Sequence, residues 1–183
     1  MAAILGLSYS DLVEITKQAA SNGVCQAAND NDPSQVVVSG HKGAVERAIE
    51  IAKEAGAKRA ILLPVSAPFH SELMAPASLK MKDALSTISI IEPTIPLVSN
   101  VRAQAVTLPD EIRNLLVEQV TGVVRWRESI EWMANNGVTE MLEIGAGRAL
   151  SGMVRRINRS ISCASVSNPD EVTKVILSQS EIT

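Results

Sequence analysis

Aromatic side chains are nearly absent from this 183-residue chain, in which Tyr9, Phe69, Trp126 and Trp132 make up 2% of the residues. A core must therefore be built from alanine, valine, isoleucine and leucine, which suits α/β layers better than a β-sandwich. Cysteine is as scarce. Cys25 and Cys163 stand far apart and fit no metal or redox spacing, which points to a reducing compartment and to no metal site. No segment approaches the roughly 18 apolar residues of a membrane span. The first seven residues have no basic flank and too short an apolar run for a signal peptide. Charge of one sign is also lacking. Seventeen Lys and Arg against twenty Asp and Glu leave a net charge of −3, which gives no global attraction to nucleic acid. The expectation is a soluble protein of the cytoplasm, without nucleic-acid or membrane partners, long enough to bury a core as one domain or two small ones.

What is present is an alternation of strand and helix patterns. Ala2 to Leu7 reads as a short buried strand. Ser8 or Ser10 can cap a helix with an apolar stripe of Leu12, Ile15 and Ala19, stopped by Asn22-Gly23. A weak strand over 24–28 precedes the polar loop Asn29-Asp30-Asn31-Asp32-Pro33. The β-branched run Val36-Val37-Val38 predicts a strand, and Val45, Ala48, Ile49 and Ala52 predict a helix ended by Gly56. Ala60 begins another strand. The order β-α-β-β-α-β is that of the split βαβ, ferredoxin-like unit. Beyond it, helices are expected over 77–88, 109–120, 127–136, near 150–157 and behind Pro169, with strands over 95–100, 140–144 and 161–166. This half has few strands for so many helices, as though part of a sheet were missing.

Chemistry concentrates at Pro64-Val65-Ser66-Ala67-Pro68-Phe69-His70-Ser71-Glu72-Leu73-Met74. It holds one of only two histidines, where a buried strand should open into a loop, and imidazole can act as a base near neutral pH. The prolines at 64 and 68 stiffen the segment. The other histidine, His41, follows Ser39-Gly40 and reads as a solvated residue at a helix cap. Gly145-Ala146-Gly147 follows a strand, but the third glycine of a dinucleotide loop would fall at Leu150, so the turn reads as structural.

The segment 64–74, together with Gly40-His41-Lys42-Gly43-Ala44-Val45-Glu46, Val98-Ser99-Asn100-Val101 and Glu143-Ile144-Gly145-Ala146-Gly147-Arg148, resembles the malonyl-CoA:acyl-carrier-protein transacylases. The resemblance runs from residue 1 to about residue 172. It implies an α/β fold in which a ferredoxin-like βαββαβ subdomain (1–66) accompanies the C-terminal part of an α/β-hydrolase-like acyltransferase domain (67–183). It implies malonyl transfer from coenzyme A to the phosphopantetheine thiol of acyl carrier protein through a serine and a histidine, with no cofactor. His70 then matches the base, and Gln119 the residue whose backbone carbonyl orients it. Asn29 and Asn31 match asparagines lining the cleft, though before Pro33 they are equally ordinary turn residues. Phe69 matches a position linked to malonyl selectivity, or simply packs. Arg155 and Arg156, with Lys58, Arg59 and Arg159, suggest a basic rim for an acidic carrier protein, or else solvated surface. The family's nucleophile motif, Gly-His-Ser-x-Gly, occurs nowhere in the chain. The expectation is therefore a C-terminal portion of such an enzyme, inactive alone and prone to self-association. The alternatives are a non-catalytic module that binds carrier protein or pairs with another chain, and a ferredoxin-like ligand-binding unit.

Overall fold

The computed structural model describes residues 1–21 and 23–180; Asn22, expected to help stop the first helix, lies outside the described residues. Strand β1 (Ala2–Leu5) leads to helix α1 (Tyr9–Ala20), which starts on a capping box. Ser8 Oγ accepts the Asp11 N–H at 3.2 Å while the Asp11 carboxylate accepts the Ser8 N–H, satisfying donors that a helix start leaves free. Strands β2 (Cys25–Asp32) and β3 (Gln35–Gly40), helix α2 (Lys42–Glu54) and strand β4 (Arg59–Leu62) follow. All four strands form one antiparallel sheet in the order β2-β3-β1-β4, the ferredoxin-like arrangement. Ile4, Val36 and Val38 on one face meet Leu12, Ile15, Val45, Ala48 and Ile49 of the two helices. The opposite face carries Ala3, Ala28 and Val37, with Leu63 lying against them as the chain leaves β4.

One element departs from its sequence pattern. The polar run 29–32, expected as a loop, continues β2 to Asp32, with register shifts at 27/29 and 30/32. Aspartate and asparagine disfavour strands, but tertiary contacts override that preference. The two carboxylates are buried and each meets an arginine from far along the chain, Asp30 with Arg127 and Asp32 with Arg156.

The second half comprises α3 (Ala75–Ser86), the hairpin β5 (Leu97–Ser99) and β6 (Gln104–Val106), α4 (Pro109–Glu118), α5 (Trp126–Asn135), β7 (Glu140–Ile144), α6 (Ala149–Ile157), β8 (Ser162–Val166) and α7 (Pro169–Ser180). Strands β7 and β8 pair in parallel through α6, and Ile130, Val154, Ile161 and Cys163 bury the side that α5 and α6 cover. Ile144 remains 79% exposed, and α3 buries no residue among those described. Among the described residues no helix is long and apolar enough to cross a membrane.

Candidate active site

After β4 the chain runs over the sheet face opposite α1 and α2, where the Leu63 N–H donates to Met1 O at 3.0 Å. Pro64 and Pro68 fix their own φ angles and remove two donors from a stretch that joins no sheet. His70 then adopts φ +56°, a left-handed conformation that costs a non-glycine residue about 1 kcal/mol or more. Contacts on its far side hold that conformation. Ser71 is fully buried with its hydroxyl donating to Pro68 O at 2.7 Å, and the Glu72 N–H donates to Gln26 Oε1 at 2.8 Å.

The half-buried ring places Nδ1 3.0 Å from the backbone oxygen of Gln119, the residue that caps the C-terminus of α4. A carbonyl oxygen can only accept, so Nδ1 carries a proton, and in the neutral ring the lone pair is then on Nε2. The Gln119 side-chain nitrogen lies 3.3 Å from Nδ1, but two N–H donors do not bond each other, and the carbonyl is the partner. Among the described residues no hydrogen bond engages Nε2. The site is an imidazole held through Nδ1 with Nε2 unengaged among the described residues.

The structure brings His70 and Gln119 together; it joins the other expected site residues less directly. Asn29 and Asn31 are half-buried strand residues and make no hydrogen bond to His70 among those described. Residues around them bind the chain after Gln119 instead: Asp30 N–H donates to Val124 O at 2.8 Å, and Val124 N–H to Ala28 O at 2.9 Å. Phe69 is 41% exposed rather than packed in the core. On α6, Arg155 is exposed, but Arg156 is not a free surface charge: its Nε donates to the buried Asp32 carboxylate at 2.8 Å. A charge reversal at Arg156 would disturb the fold as well as any rim. His41 is exposed at the N-cap of α2, as expected of it. Its Nδ1 also accepts the Val24 N–H at 2.9 Å, tying the start of α2 to the residue ahead of β2.

Two further groups escaped the sequence pattern. Arg127 grips Asp30 with Nη2 at 2.8 Å and Nε at 3.0 Å, and turns Nη1 to Glu131 at 3.2 Å. Burial pushes the Asp30 carboxyl above its ordinary range, and Arg127 pulls against that shift. The Gly145–Gly147 turn is filled by the chain itself. Glu143 accepts the Ser151 N–H at 2.8 Å and the Leu150 N–H at 3.0 Å, and these amides hold its carboxyl below the usual range. The helix start that would cradle a phosphate already holds an anion.

No family model matches the chain. The malonyl CoA-acyl carrier protein transacylase of Bacillus subtilis (strain 168) is 45% identical over 177 residues, covering 96% of this chain and 56% of the relative. The chain is homologous to the malonyl CoA-acyl carrier protein transacylases. It spans little more than half the length of these curated relatives, the Escherichia coli (strain K12) protein being 41% identical with 57% of its length covered. The acyl-carrier-protein-S-malonyltransferase structure from Bartonella henselae superposes with a TM-score of 0.92 at 50% identity, covering 96% of this chain and 56% of that one. A malonyl-transacylase solved in complex with its type II PKS acyl-carrier protein gives 0.94 at 38% identity, covering 97% and 57%. The α/β fold read from the sequence, with its ferredoxin-like unit, is the fold of these neighbours.

Proposed function

We propose that this chain carries the general-base side of a malonyl transfer site. In this reading His70 Nε2 takes the proton of a serine hydroxyl as that oxygen attacks the malonyl thioester of coenzyme A. The thiolate of coenzyme A leaves with a proton, and the malonyl-serine ester then passes its acyl group to the phosphopantetheine thiol of acyl carrier protein. The Gln119 carbonyl keeps the imidazole in the reactive tautomer and steadies the imidazolium that forms. The observation that carries the reading is the 3.0 Å contact from Nδ1 to Gln119 O, made by a left-handed His70 whose Nε2 is free.

The serine is not supplied by this chain, which has no Gly-x-Ser-x-Gly turn. Asn29, Asn31 and Phe69 would line the acyl pocket. Arg155, with Lys58 and Arg59, would meet the acidic carrier protein in the cytoplasm, with Arg156 contributing only the part of its guanidinium that Asp32 leaves free. Division of the chain into units 1–66 and 67–183 belongs to the same reading. Assaying the purified chain with malonyl-CoA and carrier protein should give no transfer. Joining it in frame to the part of the Bacillus subtilis relative that it does not match should give transfer. Turnover by the chain alone, or a correctly folded but inert joined protein, overturns the proposal.

The apolar side chains left outward support self-association of the isolated chain. Ile144, Ile91 and Ile95 are 79%, 80% and 77% exposed, and Leu79 is 66% exposed. Sedimentation should show mass rising with concentration, and a monodisperse monomer across the range would refute it.

A further inference from the structure

Gln26 sits where its type is least expected. Its neighbours Cys25 and Ala27 belong to the core that α1 and α2 cover, so by strand alternation Gln26 points to the opposite face. That face carries Ala3, Ala28 and Val37 and, directly across from Gln26, the buried Ser39, whose hydroxyl has no hydrogen-bond partner among the described residues. A half-buried amide there needs a partner. Its partner is the Glu72 N–H, 46 residues along the chain and two residues beyond His70.

The same strand also holds the other member of the pair. Ala28 O and the Asp30 N–H bond both polar groups of Val124, a few residues past Gln119. β2 is thus a common rail for His70 and Gln119. The hold on Val124 is backbone; the hold on the His70 segment is one side chain. We propose that Gln26 is a positioning residue: by accepting the Glu72 N–H it keeps His70 left-handed with Nδ1 on Gln119 O, and so keeps Nε2 unprotonated. This rests on the reading of His70 as base. Without that acceptor the segment relaxes toward the extended backbone that histidine prefers, the ring leaves the carbonyl, and water serves both nitrogens.

Nitrogen NMR of the labelled full chain reads the tautomer directly, and His41 is an internal reference. His41 accepts the Val24 N–H through Nδ1, so it holds the opposite tautomer to His70. In Gln26→Ala the ratio of Nδ1–H to Nε2–H at His70 should fall about fivefold, the effect of one ordinary hydrogen bond, with His41 unchanged. Gln26→Glu keeps an acceptor and should restore the parent ratio; Gln26→Met, which fills the space without one, should behave as alanine. An unmoved His70 in Gln26→Ala overturns the proposal. So does loss of the His41 signature in both the alanine and methionine variants, because Gln26 would then be a packing residue for the whole unit. The measurement needs no turnover, so a failed transfer assay leaves it standing, and an unmoved tautomer leaves the transfer reading standing.

Discussion

In the joined transferase described above, His70→Ala should lower kcat/KM for malonyl transfer about 10³-fold, within the range lost with a general base. Among the described residues no other histidine and no carboxylate bonds the ring, and its one strong contact is the Gln119 backbone. Gln119→Ala is the contrast. It removes a side chain and leaves the carbonyl in place, so the rate should stay within about threefold of the parent, since the lost group makes no hydrogen bond to a protonated Nδ1. Near-parent transfer by folded His70→Ala would remove this histidine from the chemistry.

Arg127→Met should destabilise the fold by about 3 kcal/mol at neutral pH, measured by urea unfolding. The Asp30 side chain is 2% exposed and accepts from both Nε and Nη2 of Arg127, so removing the guanidinium strands a carboxylate out of water. Arg127 itself is 28% exposed, which places the effect toward the low end for a broken buried pair. The pH dependence follows from the sign of the shift. Burial already raises Asp30 in the folded parent, and losing Arg127 raises it further. A folded-state pKa above the unfolded one means stability is gained as pH falls toward the unfolded value and lost as pH rises through the folded one. The penalty in Arg127→Met should therefore shrink at mildly acidic pH. Adding Asp30→Asn removes the stranded charge and should recover most of the loss even at neutral pH. A penalty that is constant with pH, or unrelieved in the double variant, would mean that Arg127 stabilises through packing alone.

Hydrophobic patterning located the first sheet well because α2 buries a single stripe of Val45, Ala48 and Ile49, while β3, buried on both faces, reads as the unbroken apolar run of its three valines. It failed at residues 29–32, where composition says turn. The partners that make Asp30 and Asp32 acceptable in a strand lie 97 and 124 residues away, and no local pattern announces them. Two aspartates at alternate positions share a strand face, a signal that could have been used but that names no arginine. β6, only three residues long, gives too few alternations to read. At the site, motif resemblance picked out both His70 and Gln119. It could not reveal the left-handed backbone of a histidine, because that conformation is imposed by Ser71, Glu72 and Gln26 rather than by the residue itself. Gln26 escaped notice for the same reason: a glutamine in a strand has no meaning until the strand's open face has an occupant.

The separation of Asp30 and Asp32 from their arginines has a consequence for synthesis of the chain. The four strands of the first sheet and both its helices end at Leu62, so they emerge from the ribosome well before α5 and α6. The nascent unit can close its own core while the two carboxylates still face water. Only when Arg127 and Arg156 arrive can they be sealed, and the same docking sets Val124 on β2 and brings Gln119 to His70. Assembly of the imidazole site thus has to wait for chain that lies well beyond the first sheet. A ribosome stalled between residues 62 and 127 should carry a folded sheet and an unformed site.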